Sequence, residues 1–156
     1  MCPAVLPAPA AAAPRKASSS SSRPDAALYR QAQAAESRLR ASATRMSKRA
    51  EWEAVVLRYR KVVARYPRSG YCDNALLAAG HLYREMARRF RAPAYRDDAL
   101  AAYRMLVAEY PSSSLGETAL AASLEVARAA GDRRRVAEAA RAYLETYPEG
   151  AQARSA

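Results

Sequence analysis

The chain has one histidine, two cysteines and five glycines in 156 residues, and each scarcity removes a class of chemistry. His81 alone cannot furnish a zinc site built on histidines and a glutamate, and any Ser/His/Asp or Cys/His arrangement would also have to use it. Cys2 and Cys72 lie far apart with no CxxC spacing, so neither a disulfide framework nor a thiolate metal site is indicated. The glycines never form GxGxxG or a Walker pattern, which excludes the usual phosphate-cradling loops. No apolar run reaches the roughly 18 residues that span a bilayer. The acid pairs Asp97-Asp98 and Glu51/Glu53 fall near expected helix starts, where carboxylates complement the macrodipole and need no catalytic role. The expectation is a protein that is not an enzyme, with no cofactor and no metal.

What is present favours helix. Hydrophobic residues make up 51% of the chain, much of it alanine, and alanine with leucine, arginine and glutamate forms helices rather than strands. Length allows one domain or one short array with a real core. The formal net charge of +11 is uneven: nine Lys or Arg against two acids in residues 1–50, eleven against seven in 51–110, six against six in 111–156. Such asymmetry raises an anionic partner for the N-terminal half, whether membrane surface, nucleic acid or acidic protein. Twenty-three of the 26 cations are arginines scattered along helices rather than gathered on one loop, which favours ordinary solvated faces.

Residues 3–24 are rich in Pro, Ala and Ser, end in the run Ser18–Ser22, and cannot bury enough apolar surface to fold. Residues 1–24 are therefore expected to be a disordered leader or linker. The stretch Pro3–Pro14 is similar to the end of a secretory signal, without the basic segment that should precede it. Cys2 sits where the lipidated cysteine of a mature bacterial lipoprotein would, with no lipobox before it.

Beyond the leader the chain repeats. Tyr66-Pro67-Arg68-Ser69 followed by Ala75, and Tyr110-Pro111-Ser112-Ser113 followed by Ala119, are one pattern at an offset of 44 residues, and Tyr59 and Tyr103 share that offset. Periods of this size mark stacked supersecondary units. Apolar residues recur at helical spacing at Leu28, Ala32, Ala35 and Leu39, then from Trp52 through Val55, Val56, Tyr59, Val62 and Val63 to Tyr66. The polar stretch Ser42–Ser47 separates the two stripes, and Pro67 ends the second. Ala75, Leu76, Ala79, Leu82, Tyr83 and Met86 form the next stripe, with Pro93 in the loop after it. Ala99, Tyr103, Leu106, Val107 and Tyr110 form the returning one. Ser69 is expected to cap the helix after it, and Ser114 with Glu117 has capping-box spacing. Gly131-Asp132 punctuates a last pair whose second helix buries Val136, Ala140, Tyr143 and Tyr147 before Pro148. Six helices in three hairpins are expected over residues 25–149, with 150–156 a truncated segment. Ala156 occupies the place of Ala75 and Ala119, so a further helix is expected to begin there, and an uncovered end favours self-association.

Gly80, Tyr83, Ala99, Tyr103 and Pro111 resemble the tetratricopeptide consensus, in which small residues let two helices approach and aromatics fill the gap. From Gly80 to Ala99 the unit is about seven residues longer than usual, which places an insertion near Arg89–Ala94. The last unit, with Leu124 and Ala127 at matching positions, keeps neither glycine nor aromatic. The YPxS element with its downstream alanine resembles the subtype found in bacterial envelope proteins of the Tol-Pal and outer-membrane barrel-assembly systems. Trp52–Tyr83, within a likeness spanning about residues 28–150, is similar to the helical region preceding the catalytic domain of some N-acetylmuramoyl-L-alanine amidases.

The resemblance implies an all-α, right-handed solenoid whose concave groove, lined by the first helix of each hairpin, takes an extended peptide or a partner protein. In that register Asn74, Leu77, His81, Arg84, Thr118, Ala121, Glu125 and Arg128 face the groove, His81 lying beside Leu77 and Arg84 as a solvated side chain. The function expected is a scaffold or adaptor of the bacterial cell envelope or periplasm, near the cell wall; otherwise the protein is cytoplasmic. Two alternatives stay open. One is the targeting portion of an amidase whose catalytic domain is absent. The other is a basic binder of nucleic acid or an anionic surface, disfavoured for nucleic acid because most of the ten tyrosines fall within the apolar stripes.

Overall fold

The computed structural model describes residues 23–154, and every regular element among them is a helix. In chain order these are α1 (Pro24–Arg40), α2 (Ala43–Met46), α3 (Arg49–Arg65), α4 (Cys72–Arg89), α5 (Ala94–Glu109), α6 (Gly116–Ala130) and α7 (Arg133–Thr146). The leader up to residue 22, with Cys2 and the Ser18–Ser22 run, lies outside the described residues, as does Ala156. Each long helix packs on the next along the chain: α1 on α3, α3 on α4, α4 on α5, α5 on α6 and α6 on α7. Short connections make such neighbours run in opposite directions.

The apolar stripes fill the spaces between these helices. Ala32, Leu39, Trp52, Val56, Tyr59, Leu82 and Met86 join α1, α3 and α4 in one cluster. Leu76, Ala99, Tyr103, Leu106, Ala119 and Val126 join α4, α5 and α6 in a second. On α7 the expectation is only half met. Ala140 and Tyr143 are buried, whereas Val136 and Tyr147 are half-buried.

The break at Ser42–Ser47 holds a helical turn of its own, so the described residues carry seven helices rather than six. Ser42 caps α2 by accepting from the Arg45 N–H, and the Met46 carbonyl at its end accepts from both Trp52 Nε1 at 3.0 Å and Arg89 Nε at 2.7 Å. Trp52 is fully buried, with the guanidinium carbons of Arg40 and Arg89 5.9 and 5.8 Å from its ring centroid and Phe90 edge-on to it. An indole N–H removed from water needs an acceptor, and α2 supplies it.

Three turns share one conformation. Tyr66, Tyr110 and Tyr147 end α3, α5 and α7 with φ/ψ of −137/64, −129/60 and −133/66 degrees. Each tyrosine carbonyl accepts the N–H of the third residue on, Ser69, Ser113 or Gly150. That residue's carbonyl then accepts from Cys72, Gly116 or Ala153. Ser69 and Ser113 do not cap the helices as N-cap residues. Their hydroxyls accept from Tyr71 N and Leu115 N and donate to Asp25 Oδ2 at 2.7 Å and Asp73 Oδ2 at 2.6 Å. These acids are the second residues of α1 and α4. Glu117, the second residue of α6, accepts from Tyr143 Oη at 2.6 Å and Ala151 N at 2.8 Å. The Ser114–Glu117 capping box therefore does not form: α6 starts at Gly116, one residue out of register for it, and the Glu117 carboxylate is occupied by α7 and the turn beyond.

Tyr103 sits against Gly80, where a Cβ built on the glycine would meet its ring at 2.4 Å. The ring is wholly buried and its hydroxyl is held by His81, so it has little room to yield. This is the close helix approach that the small-residue and aromatic pattern implied.

Gly80→Ala is expected to destabilise the protein by about 1–2 kcal/mol in denaturant unfolding, the overpacking cost exceeding the helix-propensity gain. A neutral or stabilising result would show that the two helices can separate. The Ser69 hydroxyl holds the Asp25 carboxyl below its ordinary pKa. A carboxyl whose folded pKa lies below its unfolded value stabilises the fold above the unfolded value, near 3.9, and loses that contribution as pH falls through the folded one. Ser69→Ala should therefore lower Tm at neutral pH, with the gap to wild type closing in strong acid.

Candidate functional site

The eight positions expected to face a groove fall on two helices, four on α4 and four on α6. None is fully buried: Asn74, Thr118, Glu125 and Arg128 are exposed, and Leu77, His81, Arg84 and Ala121 are half-buried. Arg84 Nη1 and Glu125 Oε2 form a direct ion pair from α4 to α6. Both side chains keep substantial exposure, so the pair adds little stability and acts mainly to set the two helices' relative placement. The Asn74 side chain donates to Asp73 Oδ1 at 3.1 Å, and Leu77 packs on the cluster shared by α4, α5 and α6. Asp73, Asn74, Leu77, Arg84 and Glu125 thus outline one face across α4 and α6.

His81 departs from the solvated expectation. It is half-buried, and its Nδ1 lies 2.8 Å from Tyr103 Oη. Burial pushes its pKa below 6.5, and the Arg84 charge lowers it further against a smaller opposing effect of Glu125. The imidazole is therefore neutral at physiological pH, and its role is to satisfy a buried tyrosine hydroxyl. Burial likewise raises the Tyr103 pKa. Cys72 is fully buried, its thiol 3.0 Å from the Tyr66 carbonyl. Among the described residues no group of three or more His, Cys, Asp or Glu is arranged to hold a metal ion.

Two clefts flank this face. One, of about 590 Å³, lies between α5, α6 and α7 and is lined by Arg104, Arg134 and Arg135 together with Asp97, Asp132 and Glu138. Its acids are all engaged: Arg135 pairs with Asp97 and Asp132, and Arg134 with Glu138 at 2.9 Å. The other, of about 580 Å³, lies at the far end of α4 and brings Arg84, Arg88, Arg91 and Arg96 together with Glu125. Sequence reasoning placed Arg84 and Glu125 at the groove but missed the other three arginines. Their sequence signal was the density of arginine around the α4–α5 connection.

Comparison with protein-family models, with curated proteins and with solved structures finds no match to this chain.

The folded His81 binds a proton less readily than the unfolded one, so it costs stability as pH falls below about 6.5 and nothing above it. His81 is the only histidine in the chain, so a single imidazole resonance followed by NMR should titrate below 6.5. His81→Gln should flatten the stability profile between pH 7 and 5. An ordinary titration midpoint would mean that the bond to Tyr103 opens in solution.

Proposed function

We propose that the chain is a tetratricopeptide-type array of three hairpins, α1 with α3, α4 with α5 and α6 with α7, acting as a non-catalytic adaptor that holds a peptide or partner protein across α4 and α6. The observation that carries this reading is the thrice-repeated turn at Tyr66, Tyr110 and Tyr147, each bonded to the start of the first helix of its own pair. An array of equivalent pairs places its first helices side by side, and such a row of helices is a ready surface for an extended ligand. The close Gly80–Tyr103 contact and the Arg84–Glu125 bridge support the same register. A place in the bacterial cell envelope rests on the resemblance of the YPxS turns, and an adaptor near the cell wall is the role we assign.

Peptides selected by display against the full chain provide the test. Amide shift changes on binding are expected to cluster around Asn74, Leu77, Thr118 and Ala121. Thr118→Arg and Asn74→Arg, both at exposed positions, should each weaken binding by about tenfold or more with little change in Tm. Selected peptides that map instead to the exposed Leu57 side of α3, or that bind both variants as wild type, would sink the reading.

A further inference from the structure

Three arginines with no acidic partner line one cleft. The guanidiniums of Arg88, Arg91 and Arg96 make no hydrogen bond or ion pair with any described residue, and the one acid present, Glu125, is engaged by Arg84. Ala87, Pro93, Val126 and Ala129 form the apolar walls. The cleft between α5, α6 and α7 is of the same size and holds three arginines with three acids, so an unbalanced cleft is not a general consequence of arginine-rich composition. Nor is it a uniform property of the local sequence. Arg89 turns away to the Met46 carbonyl and the Trp52 ring, leaving Arg88 and Arg91 on the cleft side.

The backbone adds a second observation. Arg91 has φ of 49°, in the left-handed region that favours glycine, and Ala92 N–H closes the end of α4 by bonding to the Ala87 carbonyl at 3.2 Å. Glycine would end this helix with less strain, so a guanidinium held there has a use other than helix termination. Helix-dipole complementarity accounts for Arg88 in the last turn of α4. It does not account for Arg96, which sits in the first turn of α5 where a cation opposes the dipole.

Four guanidiniums against one carboxylate leave three uncompensated positive charges. A single carboxylate would leave most of that unmatched, whereas a phosphate group brings close to two negative charges and two adjacent phosphates bring more. The planar guanidinium fork also suits pairs of phosphate oxygens. We propose that this cleft binds a diphosphate or two closely spaced phosphate groups, carried by a free small molecule or by a lipid headgroup. The site does not depend on the peptide reading, with which it shares only Arg84 and Glu125.

Titration calorimetry of the full chain with inorganic pyrophosphate, at constant ionic strength, is the primary test. Saturable binding at one site is expected, with Arg91→Gly and Arg96→Gln each weakening it by about tenfold. Arg91→Gly relieves the left-handed backbone, so its Tm without ligand should hold or rise, and lost binding cannot then be blamed on misfolding. The double variant Lys61→Gln/Arg65→Gln, on the exposed face of α3, should bind as wild type. A control that loses affinity equally, or the absence of saturable heat at millimolar pyrophosphate, overturns the proposal. Phosphatidylcholine vesicles containing a minor fraction of phosphatidylinositol bisphosphate separate the two sources. Cosedimentation that pyrophosphate competes away and Arg91→Gly abolishes assigns the lipid headgroup. Pyrophosphate binding without cosedimentation assigns a free ligand. Cosedimentation unaffected by Arg91→Gly, with no pyrophosphate binding, counts against the cleft.

Discussion

A carboxylate on the second residue of a helix, bound by the turn that ends the following long helix, closes each pair of long helices at one end. Asp25 takes the Ser69 hydroxyl, Asp73 takes Ser113, and Glu117 takes the Ala151 N–H with the Tyr143 hydroxyl. Each bond fixes where one helix begins relative to where its neighbour stops, and side-chain packing then follows in register. The third tie shows that the constraint outlives its chemistry. Gly150 stands where the serines do, and a Cβ there would meet Tyr143 Oη at 2.3 Å, so the backbone donates in place of a hydroxyl. An acid near a helix N-terminus is favoured by the macrodipole as well, so one carboxylate serves the helix and the turn together. The same turns link neighbouring pairs, since Tyr110 Oη donates to the Pro67 carbonyl at 2.9 Å.

Features set by local spacing were legible in the sequence, and features set by long-range partners were not. The Trp52–Val62 stripe is buried as its three- and four-residue spacing implied, and Pro67, Pro111 and Pro148 each follow a helix end. The 44-residue offset located the first two equivalent turns, and Gly80 with Tyr103 is the tight contact that their types implied. The turn α2 escaped notice because four residues are too few for a period to show, and what holds it is an indole and a guanidinium from later helices. Ser69 looked like a cap because the residue that claims its hydroxyl lies 44 positions away. His81 looked solvated for the same reason: its partner Tyr103 is 22 residues on, across a helix contact. At the candidate face the register of α4 and α6 came from the family resemblance, whereas the Arg84–Glu125 bridge and the joining of Arg96 to Arg88 and Arg91 needed the fold.

Arginine is used in two ways along this chain. On α7 it is matched locally, with Arg134–Glu138 and Arg141–Glu145 one helical turn apart, in keeping with the zero net charge of residues 111–156. Exposed pairs of this kind contribute little to stability, but they cancel the field that unpaired cations would project. At the end of α4 only Arg84 is matched, by Glu125, and the remaining positive charge is gathered into one concavity.

The sequential packing of the helices also governs how the chain acquires its structure. Because each long helix rests on the one just made, contacts stay between chain neighbours, which limits the entropy lost before a contact is rewarded. A pair such as α1 and α3 can begin to pack once its own turn has been synthesised, and α4 then completes its cluster. Assembly can then keep pace with synthesis from the N-terminal side, and the apolar stripe of each new helix spends little time without a neighbour.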